Sequence, residues 1–235
     1  MEVAIVAGVG PGLGASLARV FARQGYAVAL LSRSREPSAQ LADEIRSGNG
    51  RALAIPTDAT RADSVQEAIE KIKGELGQIT ALAYNASGYG RGEFLKLDPK
   101  TIQESFEAGV IGAVHLCQAV IPEMLSAGHG FVSLTGATAA LRGRAGFAPL
   151  AIAKSSLRML GQSLAREFHP KGIHVVHVIV DGQIDTPRLR SREPNRPRNT
   201  VISPDSIAES ILYMLKQTPD AWTQEFDLRP HLEVF

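Results

Sequence analysis

Three stretches of this sequence hold residues that could do chemistry, and they lie apart along the chain. The first is AGVGPGLGASLA, which sets Gly8, Gly10, Gly12 and Gly14 directly after a short apolar run. Glycines so placed let the backbone approach a phosphate group, whose charge then meets free N–H groups at the start of the next helix. The second is APLAIAKSSLR, where Lys154 stands in a helical pattern. A lysine there can hold ligand hydroxyls or, with its pKa lowered by desolvation, give up a proton. A third stretch, Ser32-Arg33-Ser34-Arg35, follows the second apolar run, and no acid occurs in it before Glu36. An acid at that place would bind a ribose 2′-hydroxyl, whereas an arginine suits a 2′-phosphate. The pattern points to NADP ahead of NAD, with Arg33 as the phosphate contact and Ser32 assisting.

Such residues need a scaffold, and the hydropathy pattern supplies one. Short apolar runs at Val3–Ala7, Ala27–Leu31, Ala52–Pro56, Thr80–Tyr84, Gly130–Leu134 and His174–Ile179 read as strands, and Glu225–Leu228 as a last short strand. Helical periodicity covers Gly12–Gln24, Pro37–Ser47, Asp63–Lys73, Pro99 to about Met124, Pro149–Phe168 and Pro204 to about Lys216. Asp98 before Pro99 and Ser203 before Pro204 are helix-start signatures. Continuous apolar strands alternating with helices imply parallel strands covered on both faces. The expected fold is α/β: a Rossmann-type, doubly wound parallel sheet of about seven strands, as one domain over residues 1–235. One segment leaves the rhythm. Residues 187–200, PRLRSREPNRPRNT, hold five arginines and three prolines against one glutamate, and read as an exposed loop on the substrate side.

Composition narrows the classes. A formal net charge of +1 gives no field for nucleic acid, and the lone Cys117 excludes an internal disulfide framework. No run of consecutive apolar residues reaches membrane-span length, and MEVAIVAG does not open a signal peptide. The expectation is a cytoplasmic protein with no nucleic-acid or membrane partner. The six histidines form no metal pattern, because His174 and His177 fall on opposite faces of one strand and the others are scattered. No metal is expected.

The chain resembles the short-chain dehydrogenase/reductase family over nearly its whole length. The family's Thr-Gly-x-x-x-Gly-x-Gly stands here as Ala7-Gly8-Val9-Gly10-Pro11-Gly12-Leu13-Gly14, with only the threonine changed. Asp58 in PTDAT, with Ala59 after it, matches the family's adenine contact. Asn85-Ala86-Ser87 matches its Asn-Ala-Gly in part, and Asp181-Gly182-Gln183-Ile184-Asp185-Thr186 matches its Pro-Gly-x-x-x-Thr. The resemblance assigns Gly8, Gly10, Gly12, Leu13, Gly14, Ser32, Arg33, Asp58, Ala59, Asn85, Ala86, Ser87, Lys154, Ile184 and Thr186 to cofactor binding. It also implies a catalytic set of which only Lys154 is present. The family's tyrosine position is Leu150, its serine position Gly136 or Ala137, and its asparagine position Gly109. The chain looks like a divergent branch without the catalytic tyrosine.

Leucine cannot donate a proton, so the family's usual carbonyl reduction is closed to this chain unless another group serves. Thr135, Thr138, Tyr84, Tyr89 and Lys154 are the candidate substitutes, while Arg142, Arg144 and Asp181 could meet a polar substrate. Asp185 borders the same loop. The reading is an NADP-dependent oxidoreductase acting on a small molecule, an anionic one among the options, by a non-standard proton route. The alternative is an NADP(H)-binding sensor without turnover. The resemblance further implies a homodimer or homotetramer, built on the helices at Pro99–Met124 and Pro149–Phe168 and on the strand near Phe226.

Overall fold

The computed structural model describes residues 2–232; the ends of the 1–235 domain reading, residue 1 and residues 233–235, lie outside the described residues. The chain alternates strand and helix throughout: β1 (Glu2–Ala7), α1 (Leu13–Arg23), β2 (Ala27–Ser32), α2 (Arg35–Ser47), β3 (Arg51–Pro56), α3 (Ala62–Glu75) and β4 (Gln78–Tyr84) form the first half. The second half runs α4 (Pro99–Phe106), a π-turn (Glu107–Ile111), α5 (Gly112–Ala127), β5 (Gly130–Thr135), α6 (Ala148–Phe168) and β6 (Ile173–Val180). It closes with α7 (Pro187–Arg192), α8 (Pro204–Leu215) and β7 (Glu225–Leu228). All seven strands are parallel, in the order β3-β2-β1-β4-β5-β6-β7. The sheet is doubly wound, as expected. The chain crosses from one half to the other between β1 and β4, which opens a crevice at the carboxyl ends of those strands.

Strand periodicity divides the core in two. Val3, Ile5 and Ala7 of β1 face one way, onto α3, α5 and α6 through Ile69, Leu116 and Leu157. Ala4 and Val6 face the other way, onto α1, α2 and α8 through Leu17, Leu41 and Ile211. Each large apolar side chain buried in this way stabilises the fold by about 1.5–3 kcal/mol. β6 is buried at every position, so no alternation is visible in it.

Three features depart from the sequence reading. The long helix from Pro99 is not regular, because its π-turn at Glu107–Ile111 inserts an extra residue beside the crevice. Gly112 makes that turn possible: a Cβ there would lie 2.5 Å from the Tyr84 hydroxyl. Residues 187–200 are not simply an exposed loop. Thr186 caps α7 by accepting from the Leu189 N–H at 3.2 Å, Pro187 fits its first turn, and Leu189 is buried. Finally, the helix over Pro99–Ala127 meets the length and hydropathy of a membrane span (mean hydropathy 1.5), although no consecutive run does. Half of that apolar window is buried in the protein's own core.

Candidate active site

The glycine turn is dictated by close approaches. Gly8 has φ 87° and sits against β4's exit: a Cβ there would lie 2.4 Å from the Ala86 nitrogen. At Gly14 a Cβ would lie 2.6 Å from the Gly8 carbonyl oxygen, so α1 can start this close to the turn only with glycine. At Gly12 it would meet the Thr186 methyl at 2.8 Å. Gly10 differs, since nothing lies within 4 Å of its Cβ position. Leu13 is buried under the turn. The Asn85 side-chain amide donates to the Gly8 carbonyl at 3.0 Å, and the Asn85 N–H to Ala7 O at 2.8 Å. Asn85 therefore ties β4 to the turn.

Above this turn lies a cleft of about 560 Å³. Its walls bring together Gly8, Gly10, Ser32, Arg33, Asp58, Ala59, Asn85, Ala86 and Ser87 from the sequence reading, and add Ala108 and Arg188. A backbone cradle left open at Gly10, with a cation at one end, fits a dinucleotide phosphate chain. Ser32 is already engaged: its hydroxyl donates to Ser34 O at 2.6 Å and lies 3.0 Å from Ser38 Oγ. Asp58 accepts from the Thr60 hydroxyl at 2.7 Å and the Thr60 N–H at 3.0 Å. The Thr60 hydroxyl is the main reason the carboxyl sits below its ordinary range, with Arg33 and Arg61 adding to it. Ala59 packs beneath the cleft, its carbonyl 3.0 Å from His115 Nδ1.

Lys154, Ile184, Thr186, Gly12, Leu13 and Gly14 are not cleft walls. Lys154 is buried on α6, and its ammonium donates to the Thr135 carbonyl at 2.6 Å. Burial pushes it down to about 8. Leu150, one helical turn earlier on the same face, is half-buried. Beneath Lys154 runs a chain of polar groups that sequence reasoning missed. His177 is fully buried, its Nδ1 lies 2.9 Å from Glu225, and Glu225 accepts two bonds of 2.7 Å from Arg158. Burial pushes the imidazole down to about 4, so it is neutral at pH 7. A Cβ on Gly136 would lie 2.3 Å from His177 Nε2, so a serine there would displace the imidazole. Ala137 is half-buried and already carries a Cβ, so it is the position of the two where a serine would fit more readily. At Gly109 a Cβ would lie 3.0 Å from the Ala153 Cβ, across the contact of the π-turn with α6.

The substitute donors are placed as follows. Tyr84 is fully buried and its hydroxyl donates to Ala108 O at 2.6 Å; desolvation raises its pKa far above the ordinary value, so it belongs to the core. Tyr89 is half-exposed on the loop after β4. The Thr135 hydroxyl is buried without a partner among the described residues. Thr138 donates its hydroxyl hydrogen to the buried Asp181 at 2.5 Å, which leaves Thr138 an acceptor toward a ligand. Arg142 and Arg229 approach the same carboxylate at 3.9 and 3.5 Å, while Arg144 is exposed. Asp185 is bound by Arg190 at 2.5 and 2.8 Å, which holds its pKa down, and Ile184 bridges to Ile202. Among the described residues no cluster of three or more His, Cys, Asp or Glu could hold a metal.

Of the groups sequence reasoning missed, Arg188 left a signal: Thr186-Pro187 is a helix start, and it implied that the arginines after it have fixed directions. The His177–Glu225–Arg158 chain left none, because its members are 48 and 67 residues apart.

Comparison with known proteins agrees with this geometry. The model of the short chain dehydrogenase family matches residues 2–197. Oxidoreductase UcpA of Salmonella typhimurium is 31% identical over 221 residues, covering 93% of this chain and 80% of that protein. A short-chain dehydrogenase from Rhodopseudomonas palustris superposes with a TM-score of 0.82 at 29% identity, over 98% of each chain. An alcohol dehydrogenase from Thermococcus sibiricus, solved with 5-hydroxy-NADP, shares the fold with a TM-score of 0.88 at 24% identity, over 100% of this chain and 98% of that one.

Proposed function

The chain belongs to the short chain dehydrogenase family, and from that premise we propose that it is an NADP(H)-dependent oxidoreductase with a non-standard proton route. The observation that carries the cofactor choice is Arg33 on the cleft wall, with no acid between β2 and Glu36. When bound, the nicotinamide gives or takes a hydride. This chain's residues do the rest. The N–H groups of the glycine turn hold the pyrophosphate, Arg33 the 2′-phosphate, and Asp58 the adenine. Lys154 holds the nicotinamide ribose. An ammonium lowered to about 8 is still mostly protonated at pH 7, yet gives up its proton far more readily than an ordinary lysine. Lys154 and solvent are the proton sources in this reading. Thr138, fixed as an acceptor by Asp181, favours a substrate that brings its own hydroxyl or N–H to that side.

A second reading rests on Leu150, Ala137 and Gly109, none of which offers a side-chain O–H or N–H: a protein that binds NADP(H) and reports its redox state without turnover. In either reading the apolar groove between α5 and α6, lined by Ile121, Leu125, Leu160, Leu164 and Phe168, is where a homodimer forms, with the β7 edge available for a tetramer. Calorimetric titration with NADPH, NADP and NADH, followed by NADPH oxidation across carbonyl, imine and activated-alkene compounds, separates the two. The enzyme reading expects turnover with one class and its abolition in Lys154→Ala. Tight binding with no turnover on any class moves the protein to the second reading.

A further inference from the structure

We propose that Arg188, carried by α7 over the glycine turn, clamps the pyrophosphate of the bound dinucleotide. The proposal rests on the cofactor reading above and adds to it a residue of the segment first read as facing substrate.

Arg188 lines the same cleft as Gly10 and Pro11, and Thr186, two residues before it, sets its methyl against Gly12 of the glycine turn. It has no hydrogen bond or ion pair among the described residues, unlike two of its neighbours. Arg190 is bound twice by Asp185 and donates to Arg196 O at 2.6 Å. Arg196 pairs with Glu193 at 2.8 Å. Those contacts make α7 a rigid carrier. The Thr186 cap, the buried Leu189 and the Asp185–Arg190 pair fix its direction, and the Thr186 methyl packs where Gly12 lacks a Cβ. A long cation held at the mouth of a cleft, with no internal partner, is spare for a ligand.

The sign and number of charges suit two separate anions. The charged residues on the cleft wall are Arg33, Asp58 and Arg188, and Asp58 is already held by Thr60. NADPH carries a 2′-phosphate and a pyrophosphate. Arg33, after β2, serves the first; Arg188, two residues after the Thr186 that packs on Gly12 of the glycine turn, serves the second. Arg142 and Arg229 are engaged elsewhere, at Asp181, so the cofactor side and the substrate side have different arginines.

Calorimetric titration of the full chain with NADPH, NADH and adenosine 2′-phosphate tests this, because the last lacks a pyrophosphate. Arg188→Ala is expected to weaken NADPH and NADH by the same factor, about 10- to 100-fold for one charge-assisted contact, and to leave adenosine 2′-phosphate unchanged. Arg188→Lys should recover part of the loss. Arg33→Ala should give the complementary pattern, with NADPH and adenosine 2′-phosphate weakened and NADH untouched. The melting temperature without ligand should not move in Arg188→Ala, since the side chain has no partner to lose. NADPH and NADH binding within twofold of the parent would overturn the proposal. So would a loss confined to NADPH, which would place Arg188 at the 2′-phosphate. If the parent chain binds no dinucleotide at all, the cofactor reading falls first and takes this proposal with it.

Discussion

The two halves of the crevice are built from different kinds of residue. On the side of β1, β2 and β4, the glycine turn has a φ of 87° at Gly8, close backbone approaches at Gly8 and Gly14, and an open Cβ position at Gly10. On the side of β5 and α6, leucine, alanine and glycine stand at Leu150, Ala137 and Gly109, while Lys154 stays. The reason for the contrast is physical. The cradle works through backbone geometry, and any side chain at Gly8 or Gly14 collides with the backbone of β4 or of the turn itself. The β5–α6 side would work through side-chain functional groups; of its three positions Leu150 and Ala137 are half-buried, whereas Gly109 is buried against Ala153. A change at Leu150 or Ala137 is therefore expected to cost less stability than one at Gly8 or Gly14.

The sharpest attack on this contrast is to put the missing groups back. Leu150→Tyr with Ala137→Ser restores a phenol one turn from Lys154 and a hydroxyl at position 137. NADPH-dependent reduction of an activated ketone should rise by about 10²–10⁴-fold over the parent chain, the range general acid catalysis supplies. Initial rates of NADPH consumption read it. No gain, with NADPH affinity unchanged, would mean that the substrate side has diverged in shape as well as in functional groups.

The next largest effect lies in the other half. Gly8→Ala places a methyl 2.4 Å from the Ala86 nitrogen at a φ that side chains avoid. NADPH affinity should fall by roughly 100-fold, and stability by about 1–3 kcal/mol or more. Titration calorimetry and a urea melt check both numbers. If Gly8→Ala bound and folded like the parent while Leu150→Tyr changed nothing, the contrast between the halves would be gone.

The same contrast explains what could be read before the structure was known. β1, β2, β4, β5 and β6 were visible because strands buried on both faces show as nearly unbroken apolar runs, and Asp98-Pro99 and Ser203-Pro204 announced two helices. The glycine turn was visible because its requirement is local. Thr138 to Asp181, His177 to Glu225 and Glu225 to Arg158 were not, since their partners are 43, 48 and 67 residues away. The π-turn also escaped, because Glu107–Ile111 has ordinary helical composition and its cause is packing: Gly112 against Tyr84 and Gly109 against Ala153. Tyr84 showed the limit most clearly. Its place beside Asn85 left the cleft and the core both open, and alternation along β4 turns the phenol into the core.

Lys154 joins the two halves, and its titration gives the smallest effect and the finest test. Folded, it releases its proton near about 8; unfolded, near the ordinary 10.5. Between those values the unfolded chain binds more protons than the folded one, so stability should rise with pH from about 8 to 10.5. The full gap is worth roughly 3 kcal/mol, which is the penalty the buried ammonium imposes at pH 7. The Thr135 carbonyl is its one hydrogen-bond partner among the described residues, and such a bond returns only about 1–3 kcal/mol. Lys154→Met keeps the packing and removes the charge. Urea melts should therefore show Lys154→Met more stable than the parent at pH 7, by roughly 1–2 kcal/mol, with the advantage gone by pH 10.5. A variant less stable than the parent at pH 7, or a difference that does not change with pH, would make Lys154 a structural residue. An advantage that fades with pH identifies a lysine that the fold does not need. Its place beside Leu150 would then have its reason in a ligand and not in the fold.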